Sequence, residues 1–103
     1  MKLYRVIWDT RAKESLKAIN LYINEESPAA AKKVRTELLK LTGSLKKMPE
    51  RFSTEPYLEH KGNEYRSVVK WSYKIIYRIH EKEVRILEVV HASRSTTVIE
   101  GIE

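Results

Sequence analysis

Apolar residues recur along the chain with two different periods, and these periods predict the order of its secondary structure elements. From Lys2 to Trp8, strand-forming residues occupy both alternating sets of positions, which predicts a first strand that is largely covered. Asp9 or Thr10 follows and is predicted to cap a helix that runs to about Glu25. The apolar residues of this helix recur at intervals of four, three and four, which places them on one stripe: Ala12, Leu16, Ile19 and Ile23.

A second helix is predicted to begin at Ser27, a capping residue that precedes a proline suited to the first helical position. The turn between the helices is short, so we expect an antiparallel hairpin. Gly43 lies inside the second helix at a cost of about 1 kcal/mol relative to alanine, and Pro49 is predicted to end it. The apolar residues of this helix keep an unbroken three/four spacing: Ala31, Val34, Leu38, Leu41, Leu45 and Met48.

Two prolines, a glycine and mixed charge between residues 49 and 63 predict a surface loop. From residue 64 to residue 94 the chain is dense in β-branched and aromatic residues, which predicts three strands joined by turns near Trp71-Ser72 and Glu81-Lys82. The predicted fold class is therefore α+β, with a four-stranded, mainly antiparallel sheet and the helical hairpin on one face. Residues 1–103 are expected to form a single domain.

The net charge of +6 and the isoelectric point near 9.6 suit a protein that meets nucleic acid, a ribosome or an acidic protein segment. The absence of cysteine excludes disulfides and cysteine-ligated metal sites. No apolar run approaches the roughly 18 residues of a membrane span, and the N-terminal segment is too short for the apolar region of a signal peptide. We therefore expect a cytoplasmic protein without a membrane partner.

The sequence carries no motif for metal, cofactor or ordinary hydrolase chemistry. His60, His80 and His91 lie in three separate segments without the spacing of metal ligands. There is no glycine-rich phosphate loop, no G-x-S-x-G motif and no pair of carboxylates at catalytic spacing. We therefore expect neither a metal nor a cofactor.

The remaining candidate chemistry is cationic, because basic residues interrupt the predicted strands. Arg66, Lys74 and Arg78 share one face of the sheet if the turn between their strands has the right parity. The alternative is that they are solvated residues paired with nearby glutamates. His91 lies beside Arg94 at the end of the last strand, where it acts either as a general base or, as we favour, as a structural hydrogen-bonding residue.

The order of these elements resembles the RelE/ParE superfamily of bacterial and archaeal toxins. The resemblance covers essentially the whole chain and rests on RAKESLKAI and SPAAAKKV in the helical hairpin, the PERF loop, YKIIYRI, and VRILEVVHASR. It implies the toxin of a type II toxin–antitoxin (plasmid stabilisation) module. It also implies a small antitoxin as partner, with which the toxin can form a hetero-oligomer, and the basic charge predicts that this partner is acidic.

The superfamily has two branches with different targets. RelE-like members cut messenger RNA on the ribosome, and here Arg66 and Lys74 match their strand cations while Arg94 approximately matches a later arginine. An RNase site would thus comprise Arg66, Lys74, His91 and Arg94, but the C-terminal tyrosine of that branch is missing, since the last tyrosine is Tyr77. ParE-like members, which poison DNA gyrase by binding, resemble this chain better in their long hairpin and histidine-to-arginine ending.

Three functions therefore stand as expectations, in descending order: a non-enzymatic gyrase inhibitor, a ribosome-dependent mRNA endoribonuclease, and a basic nucleic-acid-binding module without toxic action. Target or phosphate contacts are assigned to Arg66, Lys74, Arg78 and Arg94. An acidic, amphipathic antitoxin segment is expected to fold as it binds. Its apolar contacts are assigned to the C-terminal tail: Val98, Ile99 and Ile102.

Overall fold

A computed structural model describes residues 2–62 and 64–94 and confirms the α+β fold. The described elements are β1 (Arg5–Trp8), α1 (Thr10–Glu26), α2 (Pro28–Gly43), β2 (Tyr65–Lys70), β3 (Tyr73–His80) and β4 (Glu83–His91). The strands form one sheet in the order β1-β4-β3-β2. The pairing of β1 with β4 is parallel and the other two pairings are antiparallel, as a mainly antiparallel sheet requires.

The two helix starts differ in how their backbone N–H groups are satisfied. Ser27 caps α2 as predicted, because its hydroxyl oxygen accepts the N–H of Ala30 at 3.1 Å. Asp9 is the N-cap residue of α1, one of the two predicted, but the capping bond expected of its side chain is absent. Its carboxylate instead accepts a hydrogen bond from Arg85 at 2.9 Å. The parallel pairing of β1 with β4 brings Arg85 close to Asp9, and this contact replaces the cap.

The second helix is shorter than its apolar stripe predicts. It ends at Gly43, and a 3₁₀ turn at Ser44–Lys46 follows. Leu45 is still buried, but Met48 is 64% exposed and adopts a left-handed backbone with φ 48°. The guanidinium of Arg51 donates to three carbonyl oxygens of this segment, at 2.7 to 3.4 Å. In a continued helix these carbonyl oxygens would accept N–H groups of the next turn. Because Arg51 satisfies them instead, the tight turn is favoured.

The sheet is covered on both faces. The main core lies between the sheet and the helical hairpin: Ala12, Leu16, Leu38, Leu45, Ile75, Tyr77, Val84, Ile86 and Val89. A smaller cluster lies on the far face: Leu58, Tyr65, Ile76, Leu87 and Val90. Leu58 belongs to a 3₁₀ helix, Pro56–Lys61, in the predicted loop, so this loop covers part of the face that the helices leave open.

Two-residue turns join the last three strands where predicted. Trp71 and Glu81, the first residues of these turns, have positive φ values of 54° and 56°. The ladder between β3 and β4 then shifts register, because Ile76 pairs with Glu88 and Tyr77 pairs with Ile86. Leu87 is therefore the extra residue of a β-bulge, which changes the direction of the side chains that follow it.

Candidate functional site

The register of β2 and β3 divides the predicted basic set between the two faces of the sheet. Arg66 pairs with Tyr77, whose ring lies in the core beneath the helices, so Arg66 lies on the helix side. Lys74 and Arg78 lie on the far face, because side chains alternate along a strand and Tyr77 is an odd number of residues from each. The turn parity that would place all three cations on one face is therefore not met for Arg66, whereas Lys74 and Arg78 share a face.

Arg66 is engaged by the backbone of the preceding loop. Its guanidinium donates to the carbonyl oxygens of Phe52 at 2.6 Å and Glu50 at 3.1 Å. Backbone bonds and a bridge between Thr54 and Arg66 also hold this loop against the outer edge of β2. Arg66 therefore fixes the loop in place, and its charge is directed into the protein.

Tyr77, the last tyrosine of the chain, is a structural residue. Its ring is fully buried, and its hydroxyl donates to the carbonyl oxygen of Pro49 at 2.6 Å. Burial raises the pKa of Tyr77 to about 12. The phenol is therefore neutral at physiological pH and is not placed to exchange protons with a bound substrate.

Lys74 forms an ion pair with Glu55 beneath the loop on the far face. The side chain of Lys74 is 12% exposed and that of Glu55 is 0% exposed. The ammonium also lies 5.5 Å from the ring centroid of Tyr57, and the second carboxylate oxygen of Glu55 accepts the N–H of Tyr57 at 2.8 Å. A phosphate could reach Lys74 only after this loop moved.

Arg78 lies on the far face in a surface network. Its Nε donates to Glu64 at 2.9 Å, and both side chains are about 40% exposed. This hydrogen bond lowers the pKa of the Glu64 carboxyl, and His80 lowers it further. Arg78 also lies 5.6 Å from the ring centroid of Tyr65. It is thus accessible, but a partner must compete with Glu64 for it.

His91 and Arg94 meet at a groove of about 680 Å³ between α1 and the end of β4. Nδ1 of His91 accepts the N–H of Ser93 at 3.2 Å and lies 2.7 Å from its hydroxyl. His91 therefore caps the short 3₁₀ helix Ala92–Arg94 and also contacts the ring of Tyr73 edge-on, with 5.8 Å between ring centroids. Arg94 is exposed at the rim and forms no ion pair within the described residues.

A buried carboxylate closes the inner wall of this groove. Glu88 is 4% exposed, and its two oxygens accept Nε of Arg11 at 2.8 Å and the N–H of Val89 at 3.0 Å. Glu88 joins α1 to β4 at the point where β1 ends, because β1 pairs with β4 only as far as Ile86. Residues 87–91 of β4 have no neighbouring strand on that side in the described parts of the chain, so the groove contains an open sheet edge.

Sequence reasoning missed three features: the buried positions of Glu55 and Glu88 and the exposed position of Trp71. The buried partners Glu55 and Glu88 carry no local signal, because nothing in their sequence surroundings distinguishes them from solvated glutamates. Trp71 was assigned only to a turn, although its aromatic character at an exposed tip is a signal of recognition. The predicted antitoxin contacts in the tail lie outside the described residues.

Within residues 2–62 and 64–94, no group of histidine or acidic side chains is arranged to hold a metal ion. Over the same ranges, no helix has the length and apolar character needed to cross a membrane.

The described architecture is a helical hairpin packed on one face of a four-stranded sheet. Residues 6–96 match the sequence model described as the ParE toxin of the type II toxin–antitoxin system parDE, so the chain belongs to this family. We found no match among curated proteins.

Two solved structures share the fold. The chromosomal ParDE toxin–antitoxin system from P. aeruginosa matches with a TM-score of 0.68 and 18% identity, over 86% of this chain and 96% of that one. The RelBE2 toxin–antitoxin complex from Mycobacterium tuberculosis matches with a TM-score of 0.60 and 23% identity, over 88% and 93%.

Proposed function

We propose that this toxin inhibits growth by binding DNA gyrase and that it does not cleave RNA. The observation that carries the proposal is the state of the two strand cations that an RNA-cleaving site would use. Arg66 is held by backbone carbonyls on the helix side, and Lys74 is buried against Glu55 on the far face. Cleavage through the 2′-hydroxyl needs a base, an acid and cations converging on one phosphate. Here the cations point away from one another.

The groove supports a binding function. It combines Arg94, which forms no ion pair within the described residues, with apolar and aromatic surface on α1 from Ile19 and Tyr22, of which Tyr22 is 74% exposed. An exposed apolar surface beside a cation and an open sheet edge is suited to a protein partner. A gyrase target supports our proposal that the protein acts in the cytoplasm.

The decisive experiment compares two activities of the purified protein. In a gyrase assay with relaxed plasmid, we expect loss of supercoiling and accumulation of cleaved DNA. In a reconstituted translation reaction, we expect intact transcripts. Arg94→Glu should weaken the effect on gyrase, while Lys82→Glu, an exposed charge reversal in a turn away from the groove, should not. Cut transcripts with normal gyrase activity would favour the endoribonuclease alternative, and inactivity in both assays would contradict both toxin targets.

The neutralising partner that we propose is a small, acidic antitoxin that forms a hetero-oligomer with the toxin. The net charge of +6 would steer an acidic segment toward the toxin, and apolar surface at the groove would hold it. A stable complex should bury about 1,200–2,000 Å² in total. Arg94→Glu should slow association at low salt, with Lys82→Glu as the matched control. An unchanged association rate at low ionic strength would show that the antitoxin docks elsewhere.

A further inference from the structure

Most of the net positive charge of the chain lies on α2 and the turn that follows it. Residues 28–48 contain six basic residues and one acidic residue, a net charge of +5 out of +6 for the whole chain. Within the described ranges, none of the six basic side chains takes part in an ion pair. All six are exposed: Lys32, Lys33, Arg35, Lys40, Lys46 and Lys47. Charge on one face indicates an anionic partner more specifically than charge spread over the surface.

An aromatic side chain lies beside this basic helix. Trp71, at the tip of the β2–β3 hairpin, lies 5.9 Å from the ammonium of Lys33 on α2 and 4.8 Å from that of Lys70, measured to its ring centroid. Trp71 is 49% exposed, so core packing does not explain its presence. Its φ of 54° is also a conformation that bulky residues rarely adopt.

We propose that Trp71, Lys33 and Lys70 form a binding site for single-stranded nucleic acid. An unstacked base packs on the indole face, and the two ammonium groups contact the phosphates on either side of that base. Exposed cation–π contacts are weak compared with base stacking, so a base can displace an ammonium from the ring. The displaced ammonium then gains a phosphate, which is a stronger partner than the ring.

Lys40 extends the site along α2. It lies two helical turns beyond Lys33 on the same side of the helix, about 10 Å away along the axis. Both side chains are exposed and without ion pairs in the described part of the chain. A strand anchored on Trp71 can therefore follow α2, with a further phosphate at Lys40.

The chemistry favours a single strand over the other anionic partners. In a duplex the base faces are covered by their neighbours, so the indole would contribute nothing. The carboxylates of an acidic peptide can pair with the lysines, but they do not stack on the indole of Trp71 as a base does. The proposal does not depend on gyrase as the target, because the site lies on α2 and not at the groove.

The first test measures affinity for short, labelled oligo-dT and oligo-rU by fluorescence anisotropy. Trp71→Ala should weaken binding about five- to 150-fold, the range for the loss of one stacked base. Trp71→Phe should retain most of the affinity, since a ring remains. Unlabelled oligonucleotide should also quench the tryptophan emission of the wild type, whereas the residual emission of Trp71→Phe, which comes from Trp8, should not respond.

The second test separates this site from general charge attraction. The double variant Lys33→Gln/Lys70→Gln should reduce the slope of log affinity against log salt by about 1.4, as the loss of two phosphate contacts predicts. The control is Lys13→Gln/Lys17→Gln, which removes the same charge from exposed positions on α1 and should leave the slope unchanged. Circular dichroism establishes that each variant is folded.

Three results would overturn the proposal. The first is equal affinity for wild type and Trp71→Ala, and the second is an equal loss of salt dependence in the two double variants. The third is that a polyglutamate peptide binds the wild type as tightly as the oligonucleotides do and quenches its fluorescence equally. That result would assign the basic surface of α2 to an acidic protein. A preference between oligo-dT and oligo-rU would identify DNA or RNA as the ligand.

Discussion

Replacing Lys74 by methionine is expected to destabilise the protein severely, because it leaves the carboxylate of Glu55 buried without its cation. The Glu55 side chain is fully buried, whereas the Lys74 side chain is 12% exposed. Removing one partner of a buried ion pair typically costs about 3–5 kcal/mol. Since a domain of this size is stable by about 5–15 kcal/mol, the variant should lose a large fraction of its stability.

The reverse change, Glu55→Gln, should cost less, about 1–3 kcal/mol. The amide oxygen of glutamine can still accept the N–H of Tyr57, and the ammonium of Lys74 can extend toward solvent. The double variant Lys74→Met/Glu55→Gln should be much more stable than the sum of the two single changes predicts, because it buries no unpaired charge. This asymmetry follows from the difference in burial between the two partners.

Urea unfolding of the wild type and the three variants, followed by circular dichroism, gives the four free energies of unfolding. A loss below about 1 kcal/mol for Lys74→Met would refute the buried pair. So would a coupling energy below about 0.5 kcal/mol, the value for independent sites. Lys74 would then be accessible, and its candidacy as a phosphate contact would be restored.

Other predictions test the hairpin, its cap and the loop. Leu38→Ala should cost about 2–5 kcal/mol of unfolding free energy because Leu38 is fully buried. Met48→Ala should change the unfolding free energy by no more than about 0.5 kcal/mol. Equal losses would contradict the observed end of α2. Ser27→Ala should cost about 0.5–2 kcal/mol through loss of the cap, and a neutral result in thermal unfolding would contradict it. Tyr77 has a folded pKa of about 12, above its usual value of 10. The neutral phenol therefore contributes about 2–3 kcal/mol to the free energy of unfolding below pH 10, and this contribution is lost as pH rises through 12. Tyr77→Phe should remove this dependence, and the same alkaline loss of stability in both proteins would refute it.

The helical hairpin was predictable from sequence because its signals are local. Burial of one helix face imposes a three/four spacing, and Leu38 and Leu45 are buried where that spacing places them. The end of the second helix was not predictable in the same way. Apolar spacing continues to Met48, but the helix ends earlier because Arg51, beyond the helix, binds the carbonyl oxygens of this segment.

The distribution of cations over the sheet was partly predictable. A two-residue turn at Trp71-Ser72 pairs even-numbered residues of β2 with odd-numbered residues of β3. Arg66 and Lys74 must then lie on opposite faces, a consequence that follows once the turn length is fixed. The bulge at Leu87 was not predictable, because no residue type demands it. The buried position of Glu55 depends on how a long loop folds over the sheet, which no local pattern encodes.

The cations of this toxin fall into two groups whose substitutions have different meanings. Lys74 and Arg66 are bound by groups of the protein itself, so we expect that neutralising them lowers the free energy of unfolding and reduces toxicity by lowering the amount of folded toxin. Lys33 and Lys40 are exposed and have no ion pair in the described residues, so their neutralisation should leave stability within about 0.5 kcal/mol. Loss of toxicity in a Lys74 variant therefore carries no information about mechanism until its unfolding free energy is known. Loss of toxicity in a Lys33 variant of normal stability would report directly on a lost contact with target, nucleic acid or antitoxin. The exposed face of α2 is therefore the more informative place to begin mutagenesis.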